Sequence, residues 1–363
     1  MRGLYIHLPF CRRKCRYCDF YSLAGRDELI GPYLGALRTE ARRAAPRLPA
    51  PETLYIGGGT PSLLNTEQLG TLFSVIETVF RGINRFMEST FEANPESLTP
   101  AKIAVLRTAG ISRVSLGLQA AQNRVLNRLG RLASFEDFLR VFKALRDAGF
   151  GNINVDLMTG LPGQDPGDFR ETLEKVLALE PEHISFYPLE VRAGTPFHSE
   201  GVREEPDAAA EMFESALTAL ENAGFRHYEI SNFARPGMES LHNLNYWEQG
   251  DYIGLGAAAA SHYAGNRWTN TEDTERYIRT AAGDGGPEKA FSETLAPEQR
   301  KAERVLLGLR KTEGIELPED IFIEFSGKIA GLAARDLLEV SGRRVKIKRG
   351  RLYLSNEVFR EFV

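Results

Sequence analysis

Along the first half of the chain, short apolar runs alternate with longer stretches whose apolar positions recur at helical spacing. The runs are Gly3–Leu8, Thr53–Ile56, Ser89–Ala93, Arg113–Gly117, Asn152–Met158 and His183–Tyr187. They are short and β-rich, and they read as strands. Between them Glu28–Ala45, Thr66–Phe80, Pro100–Thr108, Gln122–Leu129, Phe135–Ala148 and Asp168–Leu179 read as helices. Thr99 followed by Pro100 is a helix start, a capping hydroxyl and then a proline where its missing N–H costs nothing. Repeated strand-then-helix units argue for an α/β fold with a parallel sheet covered by helices. Periodicity alone leaves open whether that sheet curls into part of a barrel or lies open and doubly wound.

Beyond about Thr280 the pattern changes. A Gly/Pro-rich link, Ala282–Pro287, divides residues 1–280 from a smaller unit over 281–363. That unit reads as helices near Pro297–Leu309, Pro318–Phe325 and Lys328–Val340. Two strands follow, Arg344–Lys348 and Arg351–Leu354, joined at Arg349-Gly350. The order resembles a winged helix. Its hairpin carries Arg343, Arg344, Lys346, Lys348, Arg349 and Arg351. Such charge invites a nucleic-acid partner, but solvated charges also guard a sheet edge against pairing. We adopt the second reading and expect no nucleic acid.

Composition adds few constraints. The chain has 363 residues, a net charge of −4 and 42% hydrophobic residues, enough for a sizeable core with no global pull toward polyanions or membranes. No leader-like start and no long apolar stretch is present, so the chain reads as cytoplasmic, with membrane contact peripheral at most. A reducing compartment suits free thiols.

The chemistry concentrates in Cys11-Arg12-Arg13-Lys14-Cys15-Arg16-Tyr17-Cys18, which holds all three cysteines of the chain. A cubane iron–sulfur cluster usually takes four thiolates. Three leave one iron open, and an open position is the mark of a site that binds something. The basic residues crowding the loop would favour thiolate over thiol and offset a cluster's negative charge. Two plainer readings stay open: a Cys3His zinc site using His7, or three unrelated thiols. Strand ends carry further candidates. The second leads to Gly57-Gly58-Gly59-Thr60-Pro61-Ser62, glycines that let a ligand approach the backbone. The third ends at Glu92, the fourth leads to Gln119 and then Arg131, and the fifth carries Asp156. A carboxylate on so apolar a strand is costly unless it binds a ligand, caps a helix or pairs with an arginine.

With an aromatic before its third cysteine, the CxxxCxxC array resembles the cluster motif of the radical SAM superfamily. That resemblance implies a partial (β/α)6 barrel and a [4Fe–4S] cluster on Cys11, Cys15 and Cys18, whose open iron chelates S-adenosylmethionine. GGGTPS, Glu92–Glu96, Ser115–Gln119, Leu129–Arg131, Asp156–Gln164 and Tyr228–Ala234 are similar, in order, to motifs of the oxygen-independent coproporphyrinogen oxidase group. Residues of that group matching Tyr5, Tyr17, Gly58, Gly59, Thr60, Glu92, Gln119, Arg131, Asp156, Glu190 and Ala260 contact S-adenosylmethionine. The true oxidase has a fourth cysteine where this chain has Phe20, and a longer N-terminus. Both differences point to the haem chaperone branch called HemW.

Leu241-His242-Asn243-Leu244-Asn245-Tyr246-Trp247 is similar to the HNxxYW motif of that branch, which implies His242 as a haem ligand. On its own, such a histidine reads as a hydrogen-bonded core residue. The resemblance implies binding of haem or porphyrin and transfer of haem to an acceptor protein. The alternative is a radical SAM enzyme that generates a 5′-deoxyadenosyl radical and decarboxylates or methylates a porphyrin or other planar substrate. The chain departs from the group at Ala120-Ala121, at Ala133, and over Gly256–His262, where a Gly-Pro-Gly-Ala-His-like run is usual.

Overall fold

The computed structural model describes residues 1–48 and 50–363. Six parallel strands follow one another in chain order: β1 (Arg2–Leu8), β2 (Thr53–Gly58), β3 (Glu88–Ala93), β4 (Arg113–Gln119), β5 (Ile153–Thr159) and β6 (His183–Pro188). Helices α1 (Ile30–Ala44), α2 (Thr66–Phe80), α3 (Pro100–Ala109), α4 (Asn123–Leu129), α5 (Phe135–Asp147) and α6 (Pro166–Leu177) connect them. The expected units are all present, with ends shifted by a residue or two. The sheet has two open ends, so the barrel is partial rather than closed.

Local rules account for the helix starts. Asn65 and Gln68 exchange side-chain and backbone hydrogen bonds at α2, Ser134 and Asp137 do so at α5, and Asp165 and Asp168 at α6. On α5 the apolar face Phe135, Phe138, Val141, Phe142 and Leu145 is buried. Strand β4 is buried along its whole length, as a central strand covered on both faces must be.

The sheet extends past the six units. β7 (Arg226–Glu229) and β8 (Asn232–Ala234) pair antiparallel beyond β6. On the other side β9 (Asp251–Leu255) lies parallel to β1, and β10 (Ala260–Tyr263), β11 (Asn266–Asn270) and β12 (Lys289–Thr294) continue antiparallel. The sheet therefore has twelve strands. Its last strand lies beyond the Gly/Pro-rich link.

The C-terminal unit differs from the sequence reading in its hairpin. The helix beginning at Ser326 stops at Ala334, and Asp336 takes a left-handed φ of 60°. Leu338–Ser341 then pairs with Arg344–Ile347, so the turn lies at Gly342 and not at Gly350. The expected strand Arg351–Leu354 is part of a 3-10 helix, Arg349–Leu354. The alternation of Leu338 and Val340 against Ile347 and Val345 is a strand signal that a helix reading through Val340 overrides. Each of the six hairpin cations has a carboxylate neighbour. Lys346 sits 2.7 Å from Glu339, Arg351 3.1 Å from Asp336, and Arg344 3.7 Å from Glu316. Arg343 lies 3.9 Å from that same Glu316, Lys348 pairs with Asp336, and Arg349 pairs with Glu221. Four carboxylates thus face the six cations, and the positive field is compensated in part. Among the described residues no helix is long and apolar enough to cross a membrane.

Candidate functional site at the strand ends

Parallel β/α units gather their strand carboxyl ends on one side, where ligands bind in such folds. A cavity of about 590 Å3 opens there. Cys11, Cys15 and Cys18 line it together with Gly58, Gly59, Thr60, Glu92, Gln119, Arg131, Asp156, Tyr17 and Glu190. The cysteine loop is stapled in place by its backbone: Arg16 N–H donates to Leu129 O at 3.0 Å, and Phe197 N–H donates to Arg16 O at 3.0 Å. Arg13 donates from Nε to Gly130 O at 3.0 Å. Arg16 pairs with Glu200 and lies over the Phe197 ring. Two of the loop's cations are therefore fasteners, a role their spacing alone does not reveal.

A hydrogen-bonded arc crosses the ends of four strands. Thr60 Oγ1 donates to Cys11 Sγ at 3.4 Å, Asn94 Nδ2 donates to Thr60 Oγ1 at 3.0 Å, and Arg131 Nη2 donates to Asn94 Oδ1 at 2.9 Å and Gly117 O at 2.7 Å. Asn94 is the member that sequence reasoning did not single out, although it stands in the quoted Glu92–Glu96 motif. Gly59 packs so tightly that a Cβ would come within 2.8 Å of Phe10 O and 3.0 Å of Cys11 Sγ. Only glycine fits against a backbone at that distance.

Several polar atoms on this cavity are buried and lack a partner: Glu96 Oε2, Gln119 Oε1, Arg131 Nε and Asn232 Oδ1. Leaving each unpaired costs about 1–3 kcal/mol, so this clustering marks a place where a polar ligand supplies the missing bonds. Gln119 also has a φ of 77° at a break in the β4–β5 register. A non-glycine residue there stores about 1–3 kcal/mol of strain, and such strain gathers at binding sites.

Burial governs the titrating groups. It pushes the Cys18 thiol up to about 11 and raises Cys11 too, against the expectation that nearby cations would favour thiolate. Arg13 and Arg16 are fastened to other partners, and the lowering by Lys14 is smaller than the rise from burial, so desolvation prevails. Asp156 is raised by the same cause, while holding Ser115 Oγ at 3.1 Å and Asn154 Nδ2 at 2.7 Å. It faces the cavity without an arginine partner and caps no helix.

Burial also lifts Glu92 to about 7, although Tyr55 OH donates to it at 2.7 Å and Gly58 N–H at 3.2 Å. A folded-state value above the unfolded one contributes stability that is complete below about pH 4 and lost as pH rises through about 7, here up to about 3 kcal/mol and less where cavity water reaches the carboxyl. Urea unfolding of the cofactor-free protein should therefore show a steeper fall between about pH 4 and pH 7 than Glu92→Gln shows. Parallel pH profiles would remove Glu92 as the titrating group.

Not every expected residue reaches this cavity. Tyr5 and Ala260 line a second one, and Glu190 stands at the rim of the first, paired with Arg192. His7 is no fourth metal ligand, because Tyr5 OH bonds its Nδ1 at 2.9 Å and its Nε2 bonds Tyr21 O at 3.1 Å. Among the described residues no three His, Cys, Asp or Glu side chains gather around a single-ion position. A cubane suits this better than zinc, since its thiolates bind separate irons. His242 lies on the helix Leu241–Trp247, 1% exposed, bonded at Nδ1 to Thr53 Oγ1 (2.9 Å) and at Nε2 to Tyr246 OH (2.7 Å). Ligating iron from there requires breaking a bond and leaving the core.

Residues 5–176 match the radical SAM superfamily. Over its whole length the chain is 36% identical to the protein named heme chaperone HemW of Bacillus subtilis, covering 99% of that protein. It is 37% identical to the Escherichia coli protein of the same name over 71% of this chain and 69% of that one. Among solved structures it is similar to the coproporphyrinogen III oxidase HemN of Escherichia coli, described as a radical SAM enzyme, with a TM-score of 0.86 over 99% of this chain and 89% of that one. At 23% identity that similarity shows the fold. The chain belongs to the HemW family of radical SAM proteins.

Proposed function

We propose that this protein is a haem chaperone: it carries a [4Fe–4S] cluster on Cys11, Cys15 and Cys18, chelates S-adenosylmethionine at the open iron, and passes haem to acceptor proteins. One observation carries the first half of this reading. The chain's three cysteines share a cavity with one unpartnered donor, Arg131 Nε, and three unpartnered acceptors, Gln119 Oε1, Glu96 Oε2 and Asn232 Oδ1, a set that fits a zwitterionic ligand with ribose hydroxyls. Arg131 matches the ligand's carboxylate. Glu92 and Asp156 match hydroxyls or an ammonium, and the Gly58–Thr60 backbone and Tyr17 match the adenine. Bound there, the cluster would supply an electron and an open coordination position. The haem half rests on the name borne by full-length relatives.

A second reading, an enzyme that turns S-adenosylmethionine over on a porphyrin or other planar substrate, is favoured by the same cavity, because haem carriage alone needs no such ligand set. Anaerobic protein with dithionite and S-adenosylmethionine separates the two. We expect little 5′-deoxyadenosine without added substrate. Many turnovers per chain with a reduced porphyrin would transfer the assignment to the enzyme.

A further inference from the structure

Beneath Asp156 the barrel interior is polar. Ser115 on β4, Asn154 on β5 and His183 on β6 stand side by side in the strand register, and Ser185 stands beside Asp156 itself. Side chains two apart on a strand share a face, so Asn154 and Asp156 look the same way, as do His183 and Ser185. Ser115, Asn154, His183 and Ser185 are all buried. Asn154 makes every bond its amide can make. Its Nδ2 donates to Asp156 Oδ1 and to Ser115 Oγ, each at 2.7 Å. Its Oδ1 faces His183 Nδ1 at 2.6 Å and accepts from Ser185 Oγ at 3.1 Å.

These bonds admit one arrangement of protons. Turning the amide over would set its oxygen against the Asp156 carboxylate, two acceptors with no proton between them. With both N–H groups spent, Asn154 Oδ1 can only accept, so His183 donates from Nδ1 and keeps its lone pair on Nε2. Tyr228 OH, 2.8 Å away, donates to that lone pair, and its oxygen accepts the backbone N–H of Ser240 at 3.2 Å. Burial pushes the His183 imidazole well below the usual histidine range, so the ring is neutral, as this arrangement requires. Ser240 Oγ in turn donates to Glu88 Oε1 at 3.3 Å, and the same carboxylate accepts from the N–H groups of Leu241 at 2.9 Å and His242 at 3.1 Å. One buried chain of hydrogen bonds therefore links the start of the helix Leu241–Trp247 to the cluster cavity.

We propose that His183 and Asn154 are positioning residues for the ligand of the cluster cavity: His183 fixes the Asn154 amide, and that amide fixes the Asp156 carboxylate. Asn154 holds Oδ1 directly. It holds the other oxygen through Ser115, whose Oγ donates to Asp156 Oδ2 at 3.1 Å. A carboxylate offers about four acceptor sites, so each oxygen keeps one free for the hydroxyl or ammonium donors of S-adenosylmethionine, on a residue that lines the cavity. A carboxylate set in place before the ligand arrives loses little rotamer freedom on binding. The proposal rests on the S-adenosylmethionine reading above and names what holds one of its residues in position.

The test measures S-adenosylmethionine affinity by anaerobic equilibrium dialysis of the full chain with its cluster reconstituted. His183→Leu deletes the imidazole's bonds at similar bulk and should weaken binding about tenfold. His183→Asn returns an amide N–H near the place of Nδ1 and should recover most of that loss. In an Asp156→Ala background His183→Leu should add less than about twofold, because its effect passes through Asp156. If His183→Leu retains cluster absorbance and thermal midpoint yet binds with unaltered affinity, the positioning assignment falls and the S-adenosylmethionine reading stands. An equal penalty in both backgrounds also overturns it, since a general loosening of the fold weakens binding with or without Asp156. Should His183→Leu fail to fold, Asn154→Ala carries the same comparison. A wild type with its cluster intact that takes up no S-adenosylmethionine ends both readings together.

Discussion

Replacing any one of Cys11, Cys15 or Cys18 by serine is expected to yield folded protein that no longer assembles its cluster, with iron falling from about four atoms per chain to nearly none after anaerobic reconstitution. No other cysteine exists to substitute, since the chain has three in all. Cys15 and Cys18 are half-buried on the cavity wall and Cys11 is buried at the end of a two-residue strand, so serine fits each position without a new clash. Thermal unfolding of the cofactor-free variants should stay close to that of the cofactor-free wild type. Electron paramagnetic resonance of the reduced wild type should respond to added S-adenosylmethionine, and the variants should give no signal to respond. A cubane signal of full intensity in any single variant would remove that cysteine from the site.

Glu40→Ala is expected to be the most damaging substitution for stability outside the barrel's apolar core. Glu40 is 5% exposed and accepts from Tyr277 OH at 2.6 Å, Gly256 N–H at 2.8 Å and Asn270 Nδ2 at 2.8 Å. Next to it Tyr33 OH donates to His7 O at 2.7 Å and accepts from Ala257 N–H at 2.9 Å. These bonds tie α1 to the loop before β10 and to the helix Thr274–Ala281. Removing the carboxylate orphans three donors in a dry interior and leaves a void, a loss of about 3–4 kcal/mol from a total of about 5–15 kcal/mol for a typical domain. Glu40→Gln keeps the shape but turns a donor toward one of those groups, so it should lose about 1–2 kcal/mol. Urea unfolding ranks the three proteins, and amide exchange should rise first at Gly256 and Ala257. A loss below about 1 kcal/mol for Glu40→Ala would show that the network is dispensable.

The cysteines and Glu40 bear on how much of the molecule was legible beforehand. The cysteine array needs no long-range information, because three thiolates within one loop can face one cluster. The strand-and-helix alternation is equally local, and caps such as Thr99-Pro100 and Asn65–Gln68 act within a turn. Glu40 carried no such signal. On an amphipathic helix a glutamate reads as solvated, and its partner Tyr277 lies 237 positions away. The hairpin of the C-terminal unit was misplaced for a related reason: apolar alternation over Leu338–Ser341 is too short to be told from a helix end until its partner strand is known.

The histidines make the division clearest. From the amino-acid order alone came the α/β architecture, the three-cysteine loop proposed to hold the cluster and the glycines and charged residues at the strand ends, because each depends on spacing within one element or loop. Only the folded chain could distinguish His242, bonded on both nitrogens in the core, from His262, left with a free nitrogen beside an aromatic cavity. Burial and pairing are properties of what the rest of the chain brings alongside a residue. For these two that meant Thr53, 189 positions from His242, and a carbonyl at the start of the strand paired beside His262.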